Sequence, residues 1–312
     1  MQCMDEMAAK TYDDPDMKRL AIPFLACIAV VFVAGILWVA FRIPRTPSTT
    51  DRLTVAATIF PVADMIKQVG GAQVDVITLL PPGASPHTFE PSPQTITSAS
   101  QATALFKIGV GLDDWSQRVI DAGSQATIVD LSAQVRLQTL GEEGLDPHYW
   151  LSAENARAMT HEITEALISL DPAHAADFRR NAEEYQQQLA ELHEELRRQF
   201  ATVTTTQFAT FHEAWYYFAQ AYGLTVVASF EPSPGKEPTA QFLATFMDTI
   251  KRDHIRVVFT EPQFSNAALD QAAHDLGVTI NLVDPIGGGS EETNSYINMM
   301  RYNAKQISSA LR

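Results

Sequence analysis

The feature that most constrains the fold is residues 171–200, DPAHAADFRRNAEEYQQQLAELHEELRRQF. The stretch has no glycine and a single proline at its start, and it is dense in Ala, Glu, Gln, Leu and Arg. Phe178, Tyr185, Leu189, Leu192 and Leu196 recur at spacings of seven, four, three and four, which puts them on one helical stripe. The pattern predicts one helix of roughly 45 Å. On either side the texture changes to short apolar runs alternating with amphipathic stretches. Before the helix, strands are expected at 53–58, 74–80, 104–110 and 128–131, with helices at 60–69, 92–99 and 152–169, the last capped by Ser152. After it, strands are expected at 207–211, 225–230, 256–260 and 279–283. Helices are expected at 213–222, 239–251, 266–276 and from about 292. Such alternation implies parallel sheets with helices on both faces. The expected fold is α/β: two Rossmann-like lobes, 53–170 and 203–312, joined by a linking helix over 171–202. A ligand then belongs in the cleft, beyond the carboxyl ends of the strands.

The chain has 312 residues, enough for about two domains. Its net charge of -15 excludes nucleic acid as a partner, because no basic surface is available to neutralise phosphates. Residues 20–41 carry no charge and would span roughly 33 Å as a helix. Lys18 and Arg19 precede them, as in a signal sequence or signal anchor. Residues 1–19 read as a cytoplasmic or n-region segment, but Asp5, Glu6, Asp13, Asp14 and Asp16 are foreign to an n-region, so translation is expected to begin at Met17. Cleavage and retention of the anchor are both left open, and Cys27 lies inside the apolar run, which argues against its lipidation. Residues 42–52 read as a linker rich in Pro, Ser and Thr. Everything after it is expected outside the cytoplasm. The two cysteines, Cys3 and Cys27, both precede residue 50, so a metal in the globular part must be held by nitrogen and oxygen.

Eight histidines occur. His161, His174, His193, His254 and His274 fall in or at the ends of predicted helices, among polar neighbours, and read as surface residues. His87 (SPHTFEP), His148 (DPHYW) and His212 (FATFHEAW) lie at strand ends or in connections, beside aromatics and prolines. Asp284 follows the last strand in NLVDPIGGG. Three imidazoles and one carboxylate make a four-coordinate set suited to zinc. Glu261, also at a strand end, is a substitute ligand or an acceptor that orients a histidine ring.

These segments resemble the zinc- and manganese-type substrate-binding proteins of ABC importers, the cluster A-I or TroA-like, zinc-uptake family. LLPPGASPHTFEPSPQTI, IGVGLDDW, DPHYWLSAENA, the long helix, FHEAWYYFAQAYGL, EPTAQ, FTEPQFS and VDPIGG occur in the family's order over residues 53–312. The resemblance implies a metal in the cleft, with His87 and His148 from the first lobe and His212 and Asp284 from the second. It also implies delivery to a membrane permease, by a protein expected to be a monomer. Histidine at 212, where manganese-preferring members tend to have glutamate, favours Zn2+. The short segment LGEEGLDPH, in place of the long His-rich acidic loop of many zinc members, keeps Mn2+ as the alternative.

Two other classes remain to be weighed. A zinc hydrolase would need an open coordination position, and the H-E-x-x-H metalloprotease motif is absent: His212-Glu213 is followed by Tyr216, and His161-Glu162 by Glu165. A surface adhesin is the other, and no partner-binding patch is legible for it.

Overall fold

The computed structural model describes residues 52–140, 144–231, 235–236, 238–264 and 267–312. The expectations for the leader, the apolar stretch 20–41, the linker before Arg52 and the start at Met17 lie outside the described residues. Among the described residues, no helix is long and apolar enough to cross a membrane.

The first sheet holds β1 (Leu53–Ala57), β2 (Val74–Thr78), β3 (Ala104–Lys107) and β4 (Thr127–Asp130), all parallel, in the order β2-β1-β3-β4. Its crossovers carry α1 (Phe60–Gly70), α2 (Pro93–Ala99) and the short α3 (Gln117–Asp121). A two-stranded antiparallel hairpin of β5 (Thr139–Leu140) and β6 (Gly144–Leu145) leads to α4 (Ala153–Leu170). The second sheet repeats the topology with β7 (Gln207–Thr210), β8 (Thr225–Ser229), β9 (Val257–Thr260) and β10 (Thr279–Leu282), in the order β10-β9-β7-β8. Between these strands run α6 (Tyr216–Tyr222), α7 (Ala240–Arg252) and α8 (Ala267–Leu276), and α9 (Tyr296–Ala310) closes the chain. In each sheet the first strand has its successor on one side and the third strand on the other. Each therefore has a switch point, where a crevice opens beyond the strand ends.

The sequence from 171 to 200 forms a 3-10 turn, Pro172–His174, and then α5 (Ala175–Phe200). Proline suits the start because its missing N–H would have no helical partner there. The stripe of Phe178, Tyr185, Leu189, Leu192 and Leu196 is buried, with Ala182 and Phe200. Ser152 accepts the Asn155 amide at the start of α4. Two helices begin later than expected. α6 starts at Tyr216, after a turn in which Thr210 Oγ1 donates to the His212 carbonyl. α9 starts at Tyr296, capped by Ser295, after a 3-10 turn at Glu291–Thr293. His193 also differs from its surface expectation: among the described residues its buried Nδ1 has no partner, and its ring centroid lies 5.7 Å from that of Tyr222.

The segment after β10 turns back onto elements of the first sheet. Trp150 Nε1 donates to the Pro285 carbonyl at 2.8 Å, and Tyr296 Oη donates to the Trp150 carbonyl at 2.7 Å. The Tyr296 amide donates to Asp64 Oδ2 on α1 at 2.9 Å. Gly288 has φ +76, and a Cβ there would stand 2.7 Å from the Phe60 ring, so this close approach requires glycine.

Candidate metal centre

His87 lies on a turn in the connection from β2 to α2. That connection is held at its start by ladder-like bonds from Leu79 and Leu80 to the carbonyls of Ala57 and Thr58. Farther along, Trp115 Nε1 donates to the Pro86 carbonyl at 2.9 Å, and the Phe89 ring meets Trp115 edge-on at 4.8 Å. Trp115 is placed by the turn after β3, where Gly109, Val110 and Gly111 all have positive φ. The buried Asp113 closes this turn, taking the Thr58 hydroxyl at 2.6 Å and the amides of Ile108 and Gly109 at 2.7 and 2.9 Å.

His148 precedes the 3-10 turn Tyr149–Leu151. Tyr149 Oη donates to the Ile108 carbonyl at 2.7 Å, so the same turn anchors both connections. Asp146 Oδ1 accepts the His148 amide at 2.9 Å and stands 2.8 Å from His148 Nδ1. With Nδ1 facing a carboxylate, Nε2 is the nitrogen left to face the cleft. Tyr217 of α6 donates to the Asp146 carbonyl at 3.2 Å and accepts the Gln138 amide at 2.9 Å, which joins this connection to the helix after His212.

His212 follows β7, at the switch point of the second sheet. Its Nδ1 stands 2.9 Å from Glu261 Oε1, one residue past β9. Glu261 also accepts Trp215 Nε1 at 3.1 Å and the side-chain amide of Gln263. Here too the carboxylate faces Nδ1 and leaves Nε2 for the cleft.

The three rings converge. Their centroids are 5.1 Å (His87–His148), 5.7 Å (His87–His212) and 5.3 Å (His148–His212) apart, and the Nε2 atoms of His87 and His148 are 3.0 Å apart. One nitrogen from each lies within 4.8 Å of the others, a spacing compatible with a shared ion. Asp284 is outside this mutually close group. Its Oδ1 accepts the amides of Ile286 and Gly287 at 3.1 and 2.8 Å, and its backbone is held at both ends by the Asn303 side chain. It lines an adjacent cavity of about 430 Å3 with Pro82, Gly83, Pro262 and Gln263.

Burial and the neighbouring imidazoles push His87 down to about 2, and burial lowers His148 well below its usual value. Both are therefore neutral near pH 7, with lone pairs available for a cation. His212 is raised: burial disfavours its charge, but the Glu261, Glu231 and Asp146 carboxylates outweigh that. Burial pushes Asp146 up to about 7, and its Oδ2 is buried with no partner among the described residues. Asp146 and Glu231 are absent from the sequence expectations. Asp146 carried a signal, a carboxylate two residues before a loop histidine; Glu231 carried one too, a carboxylate at a strand end like Glu261.

A family model for the periplasmic component A of the zinc-uptake complex matches residues 55–310. The manganese-binding lipoprotein MntA of Halalkalibacterium halodurans is 28% identical over 301 residues, covering 95% of this chain and 99% of its own. The manganese ABC transporter substrate-binding lipoprotein PsaA of Streptococcus anginosus is 26% identical over 304 residues, covering 92% and 98%. Among solved structures, ZnuA superposes with a TM-score of 0.77 at 28% identity, covering 84% of this chain and 100% of ZnuA.

Proposed function

Because the chain belongs to the family of the periplasmic zinc-uptake component A, a family of substrate-binding proteins of ABC importers rather than enzymes, we propose that it captures a divalent transition metal, Zn2+ foremost, on His87, His148 and His212. It works outside the cytoplasm and, as a single chain, delivers its cargo to a membrane permease. The observation that carries this reading is the convergence of three imidazole nitrogens from three separate connections to within 4.8 Å. Asp284 is the fourth donor: with Oδ1 committed to two backbone amides, Oδ2 is the oxygen it offers.

The donor set supports zinc. Three imidazoles and one carboxylate satisfy a tetrahedral ion without redox chemistry, and a fully protein-ligated ion leaves no position for an activated water. Asp146 holds the His148 ring by a hydrogen bond and the Glu261 carboxylate stands 2.9 Å from His212 Nδ1, so both rings have a carboxylate behind them when the metal enters. Glu261 thereby acts on His212 and is not counted among the donors. Manganese is the second reading, favoured by two relatives of nearly full coverage, a manganese-binding lipoprotein and a manganese ABC transporter substrate-binding lipoprotein.

The test is elemental analysis of protein purified from its native source, followed by chelator-competition titrations of wild type and His87→Ala with Zn2+ and Mn2+. One equivalent of metal, lost in the variant, is expected. Undiminished affinity in His87→Ala would rule this site out.

A further inference from the structure

The second sheet ends in a row of groups able to meet a cation: across β10, β9, β7 and β8 they are Asp284, Glu261, His212 and Glu231. Glu231 is the one to which the reading above gives no task. Its amide donates to the Phe211 carbonyl at 2.7 Å, continuing the β7–β8 ladder and setting it alongside His212. The residue is only 7% exposed. Oε1 accepts the Gly235 amide at 2.8 Å, and the Lys236 amide also faces the carboxylate. Oε2 is buried and makes no hydrogen bond among the described residues. Its charged neighbours are His212, which attracts it, and Glu261, which repels it.

A buried carboxylate oxygen left without a partner is unfavourable, because its lost hydration is not replaced. Such a group is expected to find water or an ion, and a dication at the adjacent imidazole is the compensating charge available. Carboxylate is also a harder donor than imidazole and suits manganese, which accepts more than four ligands.

We propose that Glu231 is a specificity-determining residue of the metal site, its free Oε2 serving as an additional oxygen donor that extends the range of the three-histidine centre from zinc to manganese. This rests on the reading that His87, His148 and His212 hold the metal.

The test uses the full chain as wild type, Glu231→Gln, Glu231→Asp and His148→Ala, titrated with Zn2+ and with Mn2+ against a chelating indicator. Gln keeps the shape but is a poor donor, and Asp keeps the charge but withdraws the oxygen. Both are expected to lose about tenfold or more in Mn2+ affinity and only about threefold in Zn2+ affinity. The visible absorption of the Co2+-loaded variants should rise in intensity as coordination falls toward four. Equal losses for the two metals, or none for either, with an unchanged cobalt spectrum, would overturn the proposal. Should Glu231→Gln fail to fold, Glu231→Asp is judged by the same criterion. Full metal binding by His148→Ala would instead overturn the underlying three-histidine reading.

Discussion

Trp150 donates its indole N–H to the carbonyl of Pro285 across 2.8 Å, which ties the residue two positions after His148 to the residue next to Asp284. With Tyr296 donating back to the Trp150 carbonyl, the segment bearing Asp284 is bound to connections of the first sheet although it follows the last strand of the second. If the proposed site opens, Asp284 is therefore expected to stay with His148, and His212 to lie across the opening.

Replacing Trp150 by Phe removes the donor and leaves the buried Pro285 carbonyl unpaired. The variant should be about 1–3 kcal/mol less stable in urea unfolding, and it should release metal faster in stopped-flow chelation. Wild-type release by a destabilised variant would separate the clamp from the site.

Asp146→Asn should divide affinity from stability. The carboxylate orients His148, so its loss is expected to weaken metal binding by about 10–100-fold. The apo protein should not be destabilised, because Oδ2 is buried without a partner among the described residues and burial has already pushed the group up to about 7. Chelator competition and apo unfolding, run side by side, check both halves.

His87 and His148 should each cost the apo protein stability as pH falls from 7 to 5. His87, at about 2, and His148 stay neutral in the fold while their unfolded counterparts take up protons near 6.5. Unfolding then binds protons, at most about 1.4 kcal/mol per pH unit for each group. His212 has the opposite sign: its raised value gives stability that is complete below 6.5 and lost as pH rises through its folded value. Asp146, raised to about 7, also opposes the two histidines, because it takes up its proton in the fold as pH falls. The histidine contribution is therefore read by difference: His87→Ala should lose less stability than wild type between pH 7 and 5, as measured by urea unfolding at each pH.

Gly109→Ala tests the turn that anchors the His87 and His148 connections. The residue has φ +76, and a Cβ would come 2.4 Å from Asp130 Oδ1. A loss of about 1–3 kcal/mol is expected, with weakened metal binding. Unchanged affinity would show that the turn supports the fold but not the site.

The long helix and both sheets were legible because their signals are local: one stripe of spacing three, four and seven, and apolar runs separated by turn residues. His87, His148 and His212 stood out because histidines beside aromatics in connections differ from histidines on polar helix faces. What escaped depended on register. Glu231 becomes a neighbour of His212 only once β8 lies beside β7, and the indole of Trp150 reaches Pro285 only when two segments 135 residues apart meet. His193 looked like a surface residue because its helix is polar around it, but α6 packs Tyr222 against that edge. α9 begins late because Asp64, far away on α1, takes the Tyr296 amide.

The central claim is that three imidazoles share one ion, and X-ray absorption at the zinc edge of protein loaded with one equivalent of Zn2+ tests it most directly. The account predicts outer-ring scattering from three imidazoles, with nitrogen and oxygen donors at about 2.0–2.1 Å. Sulfur at about 2.3 Å, or fewer than three imidazoles, would contradict it.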